Sequence, residues 1–319
     1  MNYIGIDLGG TKAVGAIFNT DGEILLQKHV LLENRSGAEV GALVCNLCRV
    51  ICDEGGILQG APLSIGVCIP GISYSDTGCV WAPNIPGWEN YPLRNELLKV
   101  APQATVTIES DRTCYILGEV QMGCAKGCRN AIFIAVGTGI GAGILIDNRV
   151  LHGHSDIVGA IGWLALKPPY THEYDECGCF ETHCSGEGLA KQARKFLRED
   201  KEYRGELRKH SIEDITSYHI FEAYDNGDTI AKRVMEEAIE MWGMATANLI
   251  SIFNPEKVIF GGGVFGPAVK FIPQIRREAE KWAQPISMKQ VEITSTALPK
   301  LAGLYGAGAV AIKYANNGL

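Results

Sequence analysis

Three short stretches pair closely spaced glycines with groups that bind phosphate: Asp7-Leu-Gly-Gly-Thr-Lys12, Gly137-Thr-Gly-Ile-Gly141 and Gly261-Gly-Gly263. A polyphosphate is held best by backbone N–H groups at close range, and a Cβ obstructs that approach, so glycine at a turn is the physical requirement. In the first stretch Gly9 and Gly10 supply the backbone, Thr11 a hydroxyl, Lys12 an ammonium, and Asp7 a carboxylate able to hold hydrated Mg2+ against phosphate oxygens. In the second, Gly137, Gly139 and Gly141 flank Thr138, a matching hydroxyl. The third, Gly261, Gly262 and Gly263, lets the chain pass close to a flat ligand such as adenine or its ribose. Any one of these is as often a tight turn and nothing more. Three in this order point to ATP. Neither a Walker P-loop nor a strand–GxGxxG–helix fingerprint is present.

The elements around the turns repeat. Tyr3–Asp7, Ala13–Phe18 and Glu23–Leu26 read as strand, glycine turn, strand, tight turn, strand, and Ala131–Val136, Ala142–Ile146 and Arg149–Leu151 follow the same plan. Each copy precedes material with helical period: Val40, Val44, Leu47 and Ile51 share one face, as do Val234, Ala238, Trp242, Ala245 and Leu249. Asn254-Pro-Glu256 stops the second of these, and Lys257–Phe260 runs as a buried strand into the third glycine turn. Leu301–Ala315, with Gly303, Gly306 and Gly308, reads as a small-residue helix suited to close packing.

Composition narrows the classes. The chain has 319 residues and a net charge of −7, with no long run of either sign, so no nucleic-acid partner is expected. Its longest uncharged apolar run, 131–146, falls short of the ~20 residues that cross a bilayer, and no membrane partner is expected. Met1–Asp7 lacks the pattern of a signal peptide, and eleven cysteines are an odd number; both suggest a cytoplasmic protein over a disulfide framework. Cys177, Cys179 and Cys184 stand as C-x-C-x4-C, which reads as a zinc knuckle. Unpaired buried thiols are the alternative.

Asp7-Leu-Gly-Gly-Thr-Lys12, Val136-Gly-Thr-Gly-Ile-Gly-Ala-Gly143, Asn254-Pro-Glu256 and Gly261-Gly-Gly263 together resemble the ROK family of sugar kinases and sugar-responsive repressors, within the actin/hexokinase/Hsp70-like superfamily. The resemblance runs from residue 4 to about residue 311. It implies an α/β fold of two RNase-H-like, actin-like ATPase lobes, each a mixed β-sheet flanked by helices, with an interlobe cleft for ATP·Mg and a small polyol. The N-terminal lobe is expected at 1–118 together with a C-terminal helix at 300–319, and the C-terminal lobe at 119–299. Homodimers are common in what the chain resembles.

The resemblance also assigns roles. Asp111, at the junction of Val106–Ser110 with the helical run that follows, matches the general base; an Asp there is otherwise a helix N-cap. Ser110 stands where the family has a sugar-binding Asn, Asn84 in Trp81-Ala-Pro-Asn84 matches another, and Gly71 matches a glycine of close approach. The family's Gly-Glu-x-Gly-His is here Gly159-Ala-Ile-Gly-Trp163, so Ala160 and Trp163 replace the Glu and His that grip the sugar, the His also binding zinc. A second Glu, two residues after the last knuckle cysteine, falls on Gly186, with Glu187 displaced by one; the fourth zinc ligand is then sought at His172, or at His183 or His154. Trp163 either stacks on a ring or fills the space left by Glu.

These readings give an ATP-dependent kinase for a sugar or polyol other than ordinary glucose: a modified sugar, cyclitol or glycoside. A glucokinase-type hexose kinase and a non-catalytic ATP/sugar-binding sensor are the alternatives. The family's repressors carry a winged-helix region ahead of the first phosphate strand; that strand begins here at Tyr3, so none is expected.

Overall fold

The computed structural model describes residues 1–58 and 60–315. The chain forms two compact units, one of residues 1–127, 150–158 and 300 onward, the other of residues 128–149 and 159–299. The first unit therefore keeps residues 119–127 and the excursion 150–158 beyond the expected boundary at 118. Residues 316–319 of the expected terminal segment lie outside the described residues.

The first unit opens with strands β1 (Asn2–Leu8), β2 (Lys12–Phe18) and β3 (Ile24–Leu31), then helix α1 (Gly37–Glu54), strands β4 (Leu63–Ile69), β5 (Ile72–Tyr74) and β6 (Cys79–Trp81), helix α2 (Leu93–Val100), strand β7 (Thr105–Ser110) and helix α3 (Asp111–Met122). Its sheet runs β3-β2-β1-β4-β7, antiparallel among the first three and parallel from β1 onward. All seven residues of β4 are buried, which accounts for its unbroken Leu-Ser-Ile-Gly-Val-Cys-Ile run. The edge strand β3 alternates half-buried and exposed positions and carries Gln27, Lys28 and His29, which blunt the free edge.

The second unit repeats the plan with β8 (Ala131–Val136), β9 (Ile140–Ile146) and β10 (Arg149–Val150), helices α4 (Cys179–Cys184), α5 (Gly186–Glu199), α6 (Ser217–Asp225) and α7 (Thr229–Phe253), strand β11 (Lys257–Gly261), helices α8 (Ile272–Trp282) and α9 (Pro285–Gln290), and strand β12 (Glu292–Ser295). Its sheet order, β10-β9-β8-β11-β12, is the first sheet's order again. The duplication expected from the paired glycine turns is thus one of topology. Asn254, at φ 46°, ends α7 in the left-handed conformation and lets the chain turn into β11.

The chain returns to the first unit as helix α10 (Ala302–Tyr314). A Cβ on Gly306 would lie 1.9 Å from the Cys114 carbonyl oxygen, and one on Gly66 2.0 Å from that of Ala307. The small residues of α10 thus let its backbone rest directly on α3 and on the sheet. Among the described residues no helix is long and apolar enough to cross a membrane.

Candidate active site

In the first unit the turn between β1 and β2 is closed by the Gly9 amide donating to the Lys12 carbonyl at 2.9 Å, which leaves Gly10, Thr11 and Lys12 exposed. Asp7 stands at the end of β1 beneath that turn. Burial pushes its carboxyl up, while the Cys68 thiol and Lys12 pull it down. A Cβ on Gly303 would come within 2.7 Å of Asp7 Oδ2, so the terminal helix backs the carboxylate directly. Asn84 sits on the same side: a Cβ on Gly10 would lie 3.7 Å from that of Asn84. Its loop is tied by Ile85 N–H to Ala82 and Ala82 N–H to Trp88, and is anchored by the buried Trp88 ring, whose Nε1 donates to Gly37. Gly71 is a close-approach position, though toward protein: a Cβ there would lie 1.9 Å from the Trp81 carbonyl oxygen.

Asp111 is the first residue of α3, and Ser110 is its N-cap, accepting the Thr113 amide at 3.3 Å and donating to Thr113 Oγ1 at 3.2 Å. The capping alternative for Asp111 is therefore answered by its neighbour. Ser110 is 7% exposed with its hydroxyl engaged, which gives it a structural duty where a sugar contact was expected. Burial raises the Asp111 carboxyl to about 6 against the pull of Arg112, with Asp7 raising it further and Tyr115 lowering it. The Arg112 amide donates to Oδ1 at 2.8 Å. A carboxylate poised near neutrality at a helix start, within the field of a second carboxylate, can accept a proton at physiological pH.

In the second unit the turn between β8 and β9 is closed by Gly137 N–H to Gly139 at 2.9 Å, leaving Thr138 and Gly139 exposed. The third glycine turn lies over the same strand end: Val264 N–H donates to Val136 at 3.0 Å, and Gly262, at φ +90°, would set a Cβ 2.4 Å from the Val136 carbonyl oxygen. Gly137, Thr138 and Gly263 border a cavity of about 270 Å³ whose other walls include Tyr218 and Phe221 of α6. Two expected phosphate glycines are placed otherwise. Gly141 is buried within β9 opposite Ala135, and Gly261 is buried at the end of β11, where a Cβ would lie 2.3 Å from the Phe133 ring. Both serve strand packing.

Two carboxylates, Glu181 and Glu187, lie near the second turn. Glu187 is exposed, paired with Arg194 at 2.7 Å, and borders the Gly137–Thr138 cavity. The carboxylate that does reach the second turn is Glu181, which accepts the Ile140 amide at 2.6 Å. A Cβ on Gly139, or one on Gly162, would lie 2.9 Å from Glu181 Oε2. Burial raises this carboxyl, and the Ile140 amide and Cys177 thiol oppose the rise. The sequence held a spacing signal: Glu181 lies two residues after Cys179, the interval at which the resemblance places a Glu after a knuckle cysteine. Tyr218 and Phe221, about 80 residues from the turn they join, gave none. Trp163 is 56% exposed, so it does not fill a void left by the missing Glu.

That count also bears on zinc. Cys177 Sγ lies 3.3 Å from Thr182 Oγ1, and Cys179 Sγ 3.9 Å from the Lys167 carbonyl oxygen. Cys184 is fully buried, and burial holds its thiol well above the usual range. His172 is exposed with Nδ1 3.2 Å from Asp175, while His183 is buried with Nε2 3.1 Å from Tyr174 Oη. Among the described residues no three His, Cys, Asp or Glu side chains are placed to hold a metal ion, so these residues do not fit a zinc knuckle. The reason is local: residues 179–184 are helical, and side chains five apart on a helix leave it about 140° apart.

The sequence model of the ROK family matches residues 3–314. A glucokinase of Halalkalibacterium halodurans is 32% identical over 317 residues, covering 96% of this chain and 93% of the relative. Among solved structures, a ROK hexokinase from Thermus thermophilus superposes with a TM-score of 0.81 at 26% identity, with all of both chains covered. A ROK family glucokinase from Streptomyces griseus, in complex with glucose and AMPPNP, gives 0.75 at 26% identity, covering 98% of this chain and 100% of the other.

Proposed function

The chain belongs to the ROK family, and from that premise we propose that it is an ATP-dependent kinase that transfers the γ-phosphoryl group to a hydroxyl of a sugar or sugar-like acceptor other than free glucose. The observation that carries the reading is the Asp111 carboxylate, held at about 6 by burial at the start of α3. As the acceptor oxygen attacks the γ-phosphorus, Asp111 takes its proton and the bond to ADP breaks. Thr11 with the Gly9–Gly10 backbone, and Thr138 with Gly137 and Gly139, bind the phosphates. Gly262 and Gly263 admit the adenosine beside Tyr218 and Phe221. Bound Mg2+ supplies neutralisation of phosphate charge, and Asp7 is the carboxylate that would hold it. Asp111 belongs to the first unit and Glu181 to the second.

Asn84 and Glu181 orient the acceptor. Ala160 and Trp163 stand where the family resemblance places a Glu and a His, so a free sugar loses partners each worth about 0.5–1.5 kcal/mol, and more for a charged one. That loss favours an acceptor with a modified or substituted ring. A hexose kinase of the glucokinase type is the second reading, and the retained Glu181 favours it. The odd number of cysteines, eleven, supports a reducing, cytoplasmic setting, and a homodimer is the assembly we propose.

A coupled ADP-release assay across glucose, N-acetylated hexoses, cyclitols and glycosides tests both parts. We expect a modified acceptor to exceed glucose in kcat/KM by tenfold or more. Glucose as the best acceptor would install the second reading, and no turnover with any acceptor would remove the kinase.

A further inference from the structure

A second cavity in the second unit, about 700 Å³, opens beside Trp163 and is walled by Tyr170 and Tyr174. This is within the range of small-molecule pockets. Trp163 is 56% and Tyr170 68% exposed, while Tyr174 is buried beneath them. The Tyr170 and Tyr174 rings meet edge to face, with centroids 6.2 Å apart at 78°, so the wall offers ring faces in two directions. Large aromatic surface left open to water in a concave site is a mark of ligand binding.

The charges around the cavity are already matched. Lys167 pairs with Glu237 at 3.1 Å, and Asp175 accepts the Tyr170 hydroxyl and faces His172 Nδ1 at 3.2 Å. An ionic ligand would have to break one of these pairs. A neutral ring with an apolar face, whether an aryl group or the C–H face of a pyranose, would not. Along the chain, the lining residue Trp163 is one position from a glycine that faces Glu181. Trp163 follows Gly162, whose added Cβ would lie 2.9 Å from Glu181 Oε2, and Gly178 packs so tightly on Trp163 that a Cβ there would lie 2.5 Å from its Cα.

We infer that the Trp163–Tyr170 pocket is a subsite for a neutral ring attached to the acceptor sugar, so that the natural acceptor is a glycoside. The inference rests on the kinase reading for its phosphorylated ring, and on the pocket alone for the attached one.

The test uses the full chain and four probes: methyl β-D-glucopyranoside, phenyl α- and β-D-glucopyranoside, and cellobiose. Binding is followed without nucleotide by calorimetry, and turnover with ATP·Mg is measured separately. At least one phenyl glucoside or cellobiose should bind tenfold or more tightly than the methyl glucoside. The phenyl and cellobiose arms show whether the attached ring is aryl or sugar. Trp163→Ala and, independently, Tyr170→Ala should abolish that preference with Tm unchanged, because both side chains lie largely outside the core. Equal affinity for all four probes overturns the inference, as does a preference that survives both substitutions. A dimer that dissociates in Trp163→Ala would also overturn it, assigning the face to a second copy of the chain. Selective binding without ATP turnover would remove the kinase reading and leave the subsite standing; turnover without selectivity would do the reverse.

Discussion

The Glu181 carboxylate accepts the Ile140 amide at 2.6 Å, which ties helix α4 to the first residue of β9 as the chain leaves the second glycine turn. One residue thus braces the turn between β8 and β9 and presents a carboxylate beside Gly162.

Those two duties separate by substitution. Glu181→Gln keeps an amide oxygen for Ile140 and should hold Tm within about 2 °C while raising the acceptor KM tenfold or more. Glu181→Ala leaves a buried N–H unpaired, at a cost of about 1–3 kcal/mol, and should lower Tm as well. Thermal unfolding beside steady-state kinetics decides the matter. An unchanged acceptor KM in Glu181→Gln would confine the residue to bracing.

Asp111 should govern the acid side of the pH profile. With its carboxyl raised to about 6, kcat/KM should fall tenfold per pH unit below that value and level off above it. Asp111→Asn should reduce kcat by about 10²–10⁴-fold. A profile flat from pH 5 to 8 would remove it as base.

The same shift makes a stability prediction of opposite sign. A carboxyl raised on folding contributes most below its unfolded pKa, near 3.9, and that contribution is lost as pH rises through about 6. At pH 7.5 the buried charge opposes folding, so Asp111→Asn should stabilise the protein by about 1–2 kcal/mol. Urea unfolding at pH 7.5 and pH 3 should show the gain at the higher pH only. A residue kept for capping would show a loss at both.

The third glycine turn divides into a structural and a ligand-facing position. Gly262→Ala forces a side chain at φ +90° into the Val136 carbonyl and should cost about 1–3 kcal/mol. A Cβ on Gly263 meets nothing within 4 Å, so Gly263→Ala should fold normally and raise the KM for ATP alone. An unaltered ATP KM in Gly263→Ala would take that position out of the nucleotide site.

Metal analysis checks the cysteine cluster. Purified protein should hold well under one zinc per chain, and EDTA should leave Tm unchanged. One zinc per chain, lost in Cys179→Ser, would restore the knuckle.

Spacing alone located the turns at residues 9–12 and 137–139, because backbone approach to phosphate demands glycine whatever the rest of the fold does. It also revealed the duplication, since two sheets of equal strand order require two hairpins of equal pattern. Side-chain direction was beyond it. Gly141 and Gly261 read as ligand glycines until strand pairing buried them, and Cys177, Cys179 and Cys184 read as one cluster until α4 turned them apart. Ser110 and Asp111 are adjacent in sequence, yet only the helix start decides which one caps and which carboxylate is left for chemistry. Linear spacing fixes which groups are available; the helical rotation and strand pairing of the folded units fix which of them face a ligand.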